Sequence, residues 1–111
     1  MTKKILLPIL VAGLATLAAC SAKKATATAA ALTQADADKA AINFPGATLA
    51  SLNEGKMHYE NNCGKCHALF QPTEFSTEKW HKVVPPMAEK AEVDKNVEDL
   101  ILQYVATMAK P

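Results

Sequence analysis

The stretch Leu52-Asn53-Glu54-Gly55-Lys56-Met57-His58-Tyr59-Glu60-Asn61-Asn62-Cys63-Gly64-Lys65-Cys66-His67 decides how this chain folds. Leu49, Leu52, the small Gly55 and Tyr59 recur at steps of three and four, the spacing of one helix face over residues 49–61. The stretch ends in Cys63-Gly64-Lys65-Cys66-His67, two thiols and an imidazole within five residues. Further on, residues 76–84 open with a good cap, Ser76, and an early acid, Glu78, and are expected to stop at Pro85-Pro86. Val97, Leu100, Ile101, Tyr104, Val105 and Met108 form a regular helical stripe over 97–108, with Asp94 or Asn96 as its cap. No segment alternates with period two. The expected fold is all-α, with about three helices.

Composition agrees. The 111 residues leave room for one domain. Half are hydrophobic, but only one Trp, two Tyr and three Phe are aromatic, and alanine crowds the first fifty positions. β-branched and aromatic residues are too sparse for an all-β domain. Twelve Lys, no Arg and eleven acidic residues leave a net charge of +1. Arg is the residue that base readout uses most, so nucleic acid is not an expected partner.

Three cysteines are an odd number for a disulfide framework, and the first of them has its own context. Lys3 and Lys4 precede a short apolar run that ends in Leu17-Ala18-Ala19-Cys20. That run is too short to span a bilayer comfortably and reads as a secretory signal. Small residues directly before Cys resemble the bacterial lipobox, in which the thiol is lipidated and the chain is cut just before it. The alternative is an ordinary signal with an incidental cysteine. A diacylglycerol and an N-terminal acyl group on Cys20 would meet the two-signal requirement for stable anchoring. Residues 1–19 are therefore expected to be a lipoprotein signal peptide and 20–44 an Ala/Thr/Lys-rich tether. Within the tether, 35–41 could form a short helix, and only Leu32, Ile42 and Phe44 offer side chains that could dock. Pro45-Gly46 is the expected boundary of a folded unit over 45–111. The expected location is the periplasmic side of a bacterial membrane. Ser21, in place of the Asp that marks inner-membrane retention, points to the outer one.

The pentad supplies the chemistry. Two Cys three positions apart on a helical turn can each add to one vinyl group of haem, and the adjoining His is then carried beneath the porphyrin to bind iron. Three rivals compete for the same residues. A thioredoxin-like pair wants a βαβ frame, which this chain lacks. A zinc ribbon wants a second Cys pair. A Cys63–Cys66 disulfide would close a tiny loop and stabilise little.

With these residues in place, the span 49–111 resembles a small class I (monohaem) cytochrome c. A Gly-Lys and an aromatic precede the pentad, as in that family's opening, and 97–105 with Tyr104 is similar to its last helix. The resemblance implies that first and last helices cross closely, with Gly55 facing Tyr104, since a residue without Cβ lets backbones approach. It implies one covalently attached haem c on Cys63 and Cys66, with His67 as proximal iron ligand. It also implies a distal Met from a loop before the last helix, where Met87 stands; Met108, His81 and His58 are the competitors. Trp80 could line the haem and give its indole N–H to a propionate, or simply pack in the core. Leu69, Phe70 and Phe75 would wall the haem, and the Pro72 carbonyl would accept the His67 Nδ1–H. Lys65, Lys79, Lys82 and Lys90 form either a partner-steering rim or a solvated face.

The implied function is a lipid-anchored one-electron carrier cycling Fe(II)/Fe(III) between extracytoplasmic donor and acceptor proteins. A haem-based sensor or small-ligand binder with an open sixth site is the alternative, and an assembly or structural lipoprotein a third. No acid–base or nucleophilic constellation suggests an enzyme.

Overall fold

The structure is a computed structural model and describes residues 30–111. The expected signal peptide, Cys20 and the tether up to residue 29 lie outside the described residues. Four α-helices follow in order: α1 Gln34–Asn43, α2 Leu49–His58, α3 Thr77–Lys90 and α4 Lys95–Thr107. A π-helical turn, Tyr59–Cys63, continues α2, and a 3-10 turn, Pro72–Glu74, leads into α3. No strand occurs among the described residues; Ser76 and Lys110 form one isolated bridge. The fold is all-α, as expected. No described helix is long and apolar enough to cross a membrane.

Each helix starts where a hydroxyl or carboxylate can take the orphan N–H groups of a first turn. Ser76 accepts from the Lys79 N–H at 3.2 Å, and Asp94 from the Val97 N–H at 2.9 Å. Thr48 and Ser51 form a reciprocal capping box on α2, as Thr33 and Asp36 do on α1. The Thr33 N–H and hydroxyl on the Asp36 carboxylate hold that acid below its usual range.

Helix α4 packs against all three others. It meets α2 at Gly55, where an added Cβ would lie 2.1 Å from the Leu100 carbonyl oxygen and 3.1 Å from Tyr104 Cβ. The close approach expected from Gly55 and Tyr104 is present. Tyr59, Trp80, Val84, Ile101, Tyr104 and Val105 form the main core around it.

Two expectations are corrected. Helix α3 does not stop at Pro85-Pro86 but runs through both to Lys90. A helical proline leaves the carbonyl four residues back without its donor. Those carbonyls belong to His81 and Lys82, which are exposed, as are both prolines, so water can serve the freed groups. The inward stripe Trp80, Val84 and Ala88 continues past the prolines. The helix ends instead in a Schellman motif, with Val93 N–H on the Ala88 carbonyl and Glu92 N–H on the Glu89 carbonyl. Glu92 takes the left-handed conformation there, at φ 56.

The second correction concerns the tether. Packing begins before Pro45-Gly46: Ala37 and Ala40 of α1 are buried with Leu52, and Leu32 packs beside them. Ile42 is 78% exposed and docks on nothing. Phe44 stacks on His81, ring centroids 6.3 Å apart. Pro45-Gly46 is a turn within the packed unit, with Gly46 at φ 88.

Candidate functional site

The π-helical turn delivers the pentad. It ends at Cys63, which is buried, and the chain then turns so that Cys66 and His67 are exposed. Both thiols are free. An open cleft of about 290 Å³ has one wall of Asn62, Cys63, Cys66 and His67 and another of Met87, Lys90 and Ala91 at the end of α3. Below it, a small apolar gap is bounded by Cys63 and Met87 again, with Tyr59, Trp80 and Val84 among its other neighbours.

Met87 therefore reaches the pentad, from a different element than expected. It stands on the inward side of α3, one residue past the prolines, rather than on a proline-stiffened loop. Its competitors stand elsewhere. Met108 packs on the core and borders a separate groove with Leu32 and Tyr104. His81 is exposed against Phe44, and His58 lies 3.7 Å from Glu54.

The supporting residues change partners. Trp80 is 1% exposed, and its Nε1–H donates to the Pro72 carbonyl at 2.8 Å. Its indole N–H is thus committed within the core and is not free for a propionate. The same bond occupies the carbonyl expected to serve His67, whose Nδ1 lies 2.7 Å from the Ala68 carbonyl instead. With Nδ1 as donor, Nε2 is left as the nitrogen that can bind a metal. Leu69 packs against the core and Phe70 is 39% exposed; neither lines the cleft. Phe75 lies against Trp80 and Phe70, ring centroids 5.0 and 5.1 Å apart. Of the lysines named as a rim, Lys90 borders the cleft. Asn62, Lys90 and Ala91 were not expected there. Lys90 and Ala91 follow Met87 by three and four positions, so they share its face once α3 is known to continue.

The donor set fits a covalently held haem. Two thiols, an adjoining imidazole and a thioether surround one cleft over an apolar floor. Burial pushes the Cys63 thiol up from its ordinary value, the opposite of the lowered thiol that a redox pair needs. Among the described residues, no three His, Cys, Asp or Glu converge as a bare metal site.

Residues 59–111 match the family model described as dihaem cytochrome c, just under half of the chain. The match supports a c-type cytochrome. It supports haem-based electron transfer in general and extends from Tyr59 through the pentad, α3 and α4. The family's description names two haems, whereas these 111 residues contain one Cys-x-x-Cys-His pentad. No curated protein and no solved structure matches the chain.

Proposed function

We propose that this c-type cytochrome is a lipid-anchored electron carrier with a single haem on Cys63 and Cys66, ligated by His67 and Met87. The observation that carries the reading is the cleft, which gathers these four side chains and leaves out Met108, His81 and His58. When bound, the haem supplies the one-electron Fe(II)/Fe(III) couple. Cys63 and Cys66 tie it down, and His67 presents Nε2 from the pentad. Met87 presents a soft sulfur from the rigid end of α3 and favours the ferrous state. With His67 and Met87 both available to hold the iron, the reading is a carrier rather than an enzyme. The lone pentad supports one haem on this chain. Intact mass would read one haem addition, and two additions would overturn the count.

Met87→Ala is the test of the ligand set. The two thioethers do not depend on Met87, so the haem stays attached. The iron is expected to become high-spin, to bind carbon monoxide readily and to fall in potential. Retention of a Met-type charge-transfer band would assign the ligand elsewhere, with Met108→Ala next.

The anchor belongs to the same reading, with electron donor and acceptor proteins on the periplasmic side of a bacterial membrane. Because α1 is packed, only twelve residue steps separate Cys20 from Leu32, where packing begins, roughly 43 Å at full extension. Such a reach favours partners at the outer membrane surface over distant soluble ones. Cys20→Ser is expected to abolish acylation and membrane partition while leaving the haem content unchanged. Fractionation with intact mass checks it, and a wild-type protein without acyl groups would refute the anchor.

A further inference from the structure

We propose that Tyr59 and Phe70 are positioning residues that fix the orientation of the His67 imidazole. The inference rests on the reading of His67 as an iron ligand. Tyr59 lies at the start of the π-helical turn and is 4% exposed. Its hydroxyl donates to the Phe70 carbonyl at 2.6 Å. That single bond joins the residues on either side of the pentad, closing the loop that carries both thiols and the imidazole. The Phe70 ring in turn lies against the His67 ring, centroids 5.5 Å apart. A hydroxyl in the core therefore holds the backbone of the residue whose side chain rests on the ligand. The hydroxyl has a fixed base, because the Tyr59 ring is wedged edge-on against Trp80 and tilted against Tyr104, centroids 5.9 and 6.0 Å away.

The arrangement has a physical reason to matter. The loop after His67 is short and exposed, and Phe70 is only partly buried. Apolar packing alone would leave its backbone free to shift. A partly buried hydrogen bond between a packed ring and that backbone restricts it, and an unmade one leaves the carbonyl without its protein donor. The His67 Nδ1 contact with Ala68 lies inside the same closed loop. The plane of an axial imidazole governs the splitting of the iron d orbitals, so a loosened loop should be visible at the metal.

The test uses the full-length haem protein and two variants. Tyr59→Phe removes only the hydroxyl, and Phe70→Leu removes the ring that rests on His67. Both are expected to keep covalent haem. Both are expected to shift or split the ferric low-spin g values in electron paramagnetic resonance, and to change the spread of the haem methyl shifts in NMR. Tyr104→Phe takes from the same aromatic cluster a hydroxyl that makes no hydrogen bond to residues 59–70, and should leave the spectra unchanged. If Tyr59→Phe and Phe70→Leu lower only the melting temperature, with g values and methyl shifts unmoved, the two residues are structural and the inference falls. If the wild-type protein carries no covalent haem, or His67→Ala leaves the low-spin signal intact, the reading beneath it fails instead.

Discussion

Gly55→Ala is expected to cost more stability than any other single methyl group added to this protein. The new Cβ would lie 2.1 Å from the Leu100 carbonyl oxygen. That oxygen belongs to the backbone of α4, so no rotamer change can relieve the overlap. The two helices must separate, and Ile101, Tyr104 and Val105 lose contact with α2 and the π-helical turn as they do. Overpacking by a methylene typically costs about 1–3 kcal/mol and sometimes more; a clash with helix backbone belongs at or above the top of that range. Alanine's better helix propensity returns only about 1 kcal/mol. Since domains are stable by roughly 5–15 kcal/mol and small ones sit low in that range, the variant should melt far below the wild type or fail to fold. Gly46→Ala is the comparison. Its Cβ would meet nothing within 4 Å, and only its φ of 88 is unfavourable, a penalty of about 1–2 kcal/mol. Thermal unfolding followed by circular dichroism would separate them, and equal small losses would show that the crossing can open.

Gly55 was legible because its meaning is local: a missing side chain, four residues before an aromatic, on a helix that needs a close neighbour. The caps Ser76 and Asp94 were legible for the same reason. The end of α3 was not. Pro85-Pro86 breaks a helix unless the carbonyls it orphans face water, and only the packed structure shows which side those carbonyls occupy. The true stop uses Glu92 in a conformation that glycine adopts more readily, so the usual C-terminal signal was missing. A short helix over 35–41 was expected, and α1 spans it; its packing on the core was hidden for another reason. Its buried face consists of Ala37 and Ala40, and alanine spacing in an alanine-rich segment looks the same in a packed helix as in a solvated tether.

At the site, the sequence singled out Met87 but placed it on the wrong element. Position in the chain brought it near the pentad, while its direction depended on the helix continuing past the prolines. Trp80 and Pro72 were each singled out for a hydrogen bond, and they turned out to be each other's partner. Sequence can identify a buried donor and an available carbonyl, but the pairing between them is set by packing.

Removing both thioether links, with Cys63→Ala and Cys66→Ala together, is expected to abolish covalent haem and leave most of the helical domain unfolded. The core it would have to rely on is thin. Among the described residues the large side chains buried to below 2% exposure are Trp80, Leu52, Ile101 and Val105. Around the pentad the protein presents an open cleft, over a gap bounded by Tyr59, Trp80, Val84 and Ile101. A haem seated in the cleft would add a large apolar wall over that surface; without it, half-buried Met87 and exposed Cys66 face water there. A domain of this size buries only about 60% of the surface its unfolded chain exposes, so losing one wall removes a large share of what opposes chain entropy. The far-UV helical signal should fall, and any remaining transition should be broad. Met87→Ala, which keeps both links, should stay folded, so the contrast between the two variants isolates the contribution of attachment from that of ligation. A cooperative, native-like melt in the double mutant would mean that packing of α1, α2 and α3 around α4 is sufficient, and that the haem serves electron transfer without holding the fold.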